Sequence, residues 1–445
     1  MRSLVLAVIA ALSLGACSHS AGHTPRGELC EFKRYSLEAP LPDEDELESI
    51  LTGQPGDILL LSGGSQDGAF GTGFVDGWHR SGTMPDFKLV TGISTGALQS
   101  TGAFIKRPDI SVDGYTINDE SELLETDLNG RDIKPEFRLG AIYRLLVEGS
   151  ISDLVPLRDE LHARLTPEVL EAVAARHENE GAKLLAGATD VDLGVAVAFD
   201  LTLMAVKFAN AEEGSDERDR WKDCYIKALV ASSIVPPAAQ PVFIDNRMYI
   251  DGGIRYAVFD DRMAELQRNM VEPPVEVAAA PPPGTPPADA PVARSVIAVQ
   301  QQPRMFLILN HTGTSRAECQ KIDEDDCVPA NSTAGERKDW EVLALATRTL
   351  ELFENQIRRL SLDRARQRAR DEGMPFYFAR IQSDHLIDPH RRYAIPDFEG
   401  EMHCEAWREV DDEEDDPLEF HKRYMRCLIE YGRERGLAAD WDLEP

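Results

Sequence analysis

Gly92-Ile93-Ser94-Thr95-Gly96 fits the pattern G-x-S-x-G and follows the run Phe87-Lys88-Leu89-Val90-Thr91 without a gap. A serine on a sharp turn between a strand and a helix has its hydroxyl lifted clear of the sheet, and the flanking glycines leave room for that turn. The N–H groups and partial positive charge at the start of the following helix favour an oxyanion growing on a substrate carbonyl. The chemistry of such a pattern is nucleophilic attack on an acyl carbonyl, with Ser94 as nucleophile. A hydroxyl needs a base to take its proton. The usual base is a histidine later in the chain, which leaves His311, His385 and His390 as candidates with nothing local to distinguish them.

The elements around Ser94 follow from periodicity. Ile58-Leu59-Leu60-Leu61, stopped by Ser62-Gly63-Gly64, has the form of a buried strand entering a tight turn. A helix is expected over 69–80, where Phe70, Phe74 and Trp78 fall four apart on one face. Further strands are expected over 87–91, 182–186, 193–199, 247–250, 305–309 and 376–381, and helices over 95–105, 156–164, 166–177, 223–232 and 340–370. Strands alternating with helices predict an α/β fold with a mostly parallel central sheet flanked by helices on both faces. Prolines and alanines over 272–294 form an extended insertion within one domain spanning 56–395, and an acidic region, 396–445, closes the chain.

Residues 58–262 resemble the patatin-like phospholipase family. The resemblance rests on Leu61-Ser62-Gly63-Gly64-Ser65-Gln66-Asp67-Gly68-Ala69-Phe70-Gly71, Thr91-Gly92-Ile93-Ser94-Thr95-Gly96-Ala97-Leu98, Ala231-Ser232-Ser233-Ile234-Val235-Pro236 and Tyr249-Ile250-Asp251-Gly252-Gly253, in the family's order. It implies a serine–aspartate dyad without histidine: Ser94 as nucleophile and Asp251, opening the D-G-G motif, as general base. Gly252 and Gly253 would supply the turn behind that aspartate. The glycine-rich turn Gly63, Gly64 and Ser65 would be the oxyanion hole, with Gly68, Gly92 and Gly96 supporting the two motifs. The implied reaction is two-step hydrolysis of lipid acyl esters through an acyl-enzyme, with no metal or organic cofactor.

Two residues depart from the family pattern. Ser65 stands where a third glycine is usual; it serves provided that its backbone need not take positive φ. Asp67 stands where arginine or lysine is common, and an inward-pointing carboxylate there would oppose an anion in the site. These departures keep open a non-catalytic envelope lipoprotein with a binding role, and the late histidines keep open a histidine-dependent esterase.

The chain has 78 acidic and 47 basic side chains among 445 residues, a formal charge of -31. Such a surface repels phosphate backbones and excludes nucleic acid as a partner; nothing in the sequence marks a protein partner. The run Asp411 to Asp416 lacks the ligand and glycine spacing of a calcium loop and is expected to be solvated. Arg2, a short apolar run and small residues make 1–16 an export signal. Leu14-Gly15-Ala16-Cys17 resembles the lipobox of bacterial lipoproteins, so Cys17 is expected to be lipidated, with 17–55 a tether. A lipid-anchored protein of the cell envelope, at the outer membrane of a Gram-negative bacterium, is the implied location. The six other cysteines suit disulfides in an oxidising compartment, and proximity suggests Cys319–Cys327 and Cys404–Cys427, leaving Cys30–Cys224.

Overall fold

The computed structural model describes residues 30–31, 34–37, 56–123, 125–126, 152–235, 239–259, 302–312, 320–321, 327–328, 342–415, 417 and 419–442. Nine strands form the main sheet: β1 Arg34–Ser36, β2 Asp57–Leu61, β3 Phe87–Ile93, β4 Lys183–Asp190, β5 Val195–Asp200, β6 Val242–Ile244, β7 Arg247–Asp251, β8 Met305–Leu309 and β9 Phe376–Arg380. β4, β3, β2, β8 and β9 lie side by side and parallel. Beyond β4 the sheet turns antiparallel, with β5 and then β1 added outside it. β7 also pairs antiparallel with β4, and β6 with β7.

The long helices are α1 Gly68–Arg80, α2 Thr95–Phe104, α3 Val155–Arg164, α4 Pro167–Glu180, α5 Leu201–Asn210, α6 Asp216–Ser233, α7 Val342–Asp371, α8 Cys404–Glu414 and α9 Lys422–Leu437. Successive strand residues point to opposite faces. Leu59, Leu61, Phe306 and Ile308 therefore join side chains of α1, α2, α4, α6 and α9 in one core. Ile58, Leu60, Met305 and Leu307 pack with Ala365 and Ala369 of α7 on the other face. Covering both faces explains why these strands are unbroken apolar runs instead of alternating ones. The fold is α/β with a mostly parallel central sheet.

The structure departs from the sequence reading in α5 and α6. α6 starts at Asp216, not at 223: the Ser215 hydroxyl accepts from the Arg218 N–H at 3.2 Å, and Asp216, Glu217 and Asp219 sit in the first turn, where acids are favoured. α5 was not expected; Asp200, ending β5, caps it by accepting from the Leu203 N–H at 3.0 Å. Leu193 and Gly194 belong to the turn before β5.

The C-terminal region belongs to the same core. α9 lies backbone-close on α1: a Cβ at Gly77 would overlap the Arg433 carbonyl, and one at Gly436 the Phe74 carbonyl. Trp441 stacks edge-on against Phe74 and Trp78, at 4.8 Å between ring centroids in both pairs. Disulfides join Cys30 to Cys224 and Cys404 to Cys427. Cys17 with the expected signal and tether start, the 272–294 stretch, and the Cys319–Cys327 pairing lie outside the described residues.

Candidate active site

Sheet register brings Ser94 and Asp251 together. Ile93, the last residue of β3, pairs with Gly187 of β4, and Asp251, the last residue of β7, pairs with the next residue, Ala188. β3 runs parallel to β4 and β7 antiparallel, so the two strands meet end to end along one edge of β4. Ser94 leaves β3 at φ 55 and ψ -126, a strained conformation, and opens α2. Gly96 is obligatory here, since a Cβ would overlap the Leu61 carbonyl oxygen. The Ser94 N–H donates to the Ser232 hydroxyl at 2.9 Å, and that hydroxyl donates to the Gly187 carbonyl at 2.5 Å. Ser232 thus ties the elbow to β4.

Asp251 is 3% exposed. Its carboxylate accepts, at 2.5 Å, from the Gly253 N–H in the single turn Gly252–Ile254, and it lines the same cavity as Ser94. Burial pushes the carboxyl up to about 6, while the Ser94 hydroxyl and the Gly253 N–H hold it back; Glu354 adds to the rise and Arg358 opposes it. Glu354 and Arg358 come from α7, form an ion pair at 3.0 Å, and line the same cavity.

The turn after β2 faces Ser94. Gly63, Gly64 and Ser65 line the cavity, and the Gly64 and Ser65 N–H groups have no hydrogen-bond partner among the described residues. Gly68 follows as the first residue of α1. Ser65 takes φ 48, so the condition under which serine could replace glycine freely is not met. A left-handed non-glycine residue costs about 1–2 kcal/mol. The Ser65 hydroxyl donates to the Glu419 carboxylate, and a bond to a charged group is worth about 1.5–3 kcal/mol, enough to offset that strain. Asp67 does not line the cavity; its carboxylate accepts from the Tyr424 hydroxyl at 3.2 Å. Glu419 keeps an accessible surface toward the cavity, yet the protein packed around its carboxylate pushes it up, the Ser65 bond opposing this and Glu120 and Glu354 adding to it.

A cavity of about 550 Å³ opens from Ser94 and Asp251. Its walls are mainly apolar, with Leu98 of α2, Leu157 and Leu161 of α3, Leu229 of α6, and Phe420. Among the described residues no histidine lines it, and His311, His385 and His390 are not among its walls. A largely apolar cavity that holds a hydroxyl, a buried carboxylate and free N–H groups suits an acyl chain with its ester carbonyl at the serine.

Residues 59–259 match the family model of the patatin-like phospholipases. This part of the chain is a patatin-like phospholipase domain. No curated protein matches the chain. Among solved structures it is similar to VipD from Legionella pneumophila, at 10% identity and a TM-score of 0.32, over 88% of this chain and 68% of that one.

Three features of the patatin-like domain's site were not marked by sequence as functional. Ser232 lay within a matched motif without a role. Asn310, just after β8, is fully buried; it donates to the Ser62 carbonyl at 2.7 Å and accepts from the Gly71 N–H at 3.1 Å, bracing the glycine-rich turn from behind. Glu419 sits in the acidic C-terminal region, and only the fold brings it to Ser65.

Proposed function

We propose that this chain is a serine acyl hydrolase that cleaves lipid acyl esters through a Ser94–Asp251 dyad. The observation that carries the reading is Ser94 and the buried Asp251 carboxylate, brought together by the sheet register at one apolar cavity. Ser94 Oγ attacks the ester carbonyl as Asp251 takes its proton, and the carbonyl oxygen becomes an oxyanion received by the Gly64 and Ser65 N–H groups. The intermediate collapses, breaking the ester C–O bond; the proton passes from Asp251 to the departing alcohol, leaving the acyl chain on Ser94. Water then attacks the acyl-enzyme, giving its proton to Asp251, and the fatty acid leaves as Ser94 regains a proton. A carboxyl raised to about 6 is a stronger base than an ordinary aspartate and is still ionised at neutral pH, as this role requires.

The apolar walls support a lipid substrate, and the chain's formal charge of -31 supports a neutral or zwitterionic one. With Cys17 lipidated, the enzyme would work from the surface of an envelope membrane, at the outer membrane. The test is fatty-acid release from phosphatidylcholine and from diacylglycerol vesicles by the form beginning after Cys17. Wild type releases fatty acid and Ser94→Ala does not; equal release by both, or none by folded wild type, would contradict the reading.

A further inference from the structure

The three residues of the single turn Ser65–Asp67 are each bonded to one short C-terminal segment. The Ser65 hydroxyl donates to Glu419, the Gln66 side-chain oxygen accepts from the His421 N–H at 3.1 Å, and the Asp67 carboxylate accepts from the Tyr424 hydroxyl at 3.2 Å. The segment is itself anchored: the N–H groups of Glu419 and Phe420 both donate to Glu120, at 2.7 and 2.9 Å. Behind it α9 lies backbone-close on α1, the helix that the turn opens into. The turn is therefore held by side chains more than 350 positions away, and the two residues that depart from the family pattern are two of the three contact points.

We propose that residues 419–424 are a clasp that positions the oxyanion turn, with Glu419 holding Ser65 in the left-handed conformation that a third glycine would adopt unaided. Glu419 is a positioning residue: it bonds Ser65, not the reacting atoms, and acts by aiming the Ser65 N–H. Replacing it by alanine lets Ser65 relax toward negative φ and turns that N–H away. Replacing Ser65 by glycine removes the need for Glu419, because glycine holds positive φ at no steric cost.

This inference rests on the reading of Ser94 as nucleophile, and the test separates the two. kcat and KM on a chromogenic short-chain ester are measured for wild type, Glu419→Ala, Glu419→Gln, Ser65→Gly and the double variant Ser65→Gly/Glu419→Ala. Glu419→Ala should lose about 10- to 100-fold in kcat with KM little changed. Glu419→Gln, which still accepts from the Ser65 hydroxyl, should keep most of it. The double variant should match Ser65→Gly alone. An unchanged kcat in Glu419→Ala, or the same loss with glycine at 65 as with serine, would overturn the clasp. Hydrogen exchange at the 63–67 amides reads it without activity: faster exchange in Glu419→Ala, reversed in the double variant, supports it, and no change overturns it. A wild type that hydrolyses nothing while showing this exchange pattern would sink the enzymatic reading and leave the clasp standing.

Discussion

Ser94 and Asp251 meet because their strands end against consecutive residues of β4, Gly187 and Ala188. Neither strand depends on a flexible loop to deliver its residue. The parallel ladder fixes where β3 stops, the antiparallel ladder fixes where β7 stops, and the Ser232 hydroxyl, bonded to both Ser94 and Gly187, locks the junction. A site built on strand ends holds its geometry more closely than one built on loops.

Asp251→Asn separates activity from stability. Removing the base should lower kcat by about 10²–10⁴-fold. The folded-state carboxyl is raised from 3.8 to about 6, so its ionised form opposes folding. That penalty is absent below the unfolded value, grows as pH rises between the two, and is complete above about 6. Asp251→Asn should therefore be more stable than wild type at pH 8, by on the order of 1–3 kcal/mol, with the gap closing near pH 4. Thermal melts at both pH values check this.

The acid limb of kcat/KM should fall below about pH 6, where Asp251 takes up a proton and ceases to be a base. Arg358 favours the ionised form and Glu354 disfavours it. Arg358→Ala should move the limb to higher pH and Glu354→Gln to lower pH. Shifts in the opposite sense would remove Asp251 as the titrating group.

Ser232→Ala removes the acceptor of the Ser94 N–H and a donor to the Gly187 carbonyl. The cost should be about 1–3 kcal/mol of stability per group left unpaired. The elbow should also loosen, lowering kcat by about 10-fold or more. Denaturant unfolding and ester kinetics on the same preparation measure both.

Much of this site was legible in local sequence. G-x-S-x-G after an apolar run marked Ser94, and the family resemblance marked Asp251. The adjacency of Gly187 and Ala188 was not legible, because the sheet register depends on which strands become neighbours. The roles of Asn310 and Glu419 were hidden for the same reason: each acts on a turn more than 200 positions earlier in the chain. Ser65 was visible as a departure, but its φ 48 and its hydroxyl's partner belong to the folded chain. α5 and the start of α6 carry clear capping residues, Asp200 and Ser215; the acidic first turns of α6 obscured its periodicity.

Leu157 and Leu161 line the apolar wall that α3 adds to the cavity. Leu157→Trp narrows that space and should shift preference toward shorter acyl chains. KM should rise steeply for long-chain esters and little for butyrate esters, as a series of chromogenic esters of increasing length would show. A uniform change across the series would mean that α3 does not hold the acyl chain.

Ser94 should react as a nucleophile activated by Asp251. Intact-mass and peptide mapping after exposure to a fluorophosphonate test it most directly. One adduct on Ser94 in wild type, none in Ser94→Ala, slow labelling in Asp251→Asn, and wild-type labelling after replacement of His311, His385 and His390 are the predicted results. An adduct on another residue, or labelling of Asp251→Asn at the wild-type rate, would contradict it.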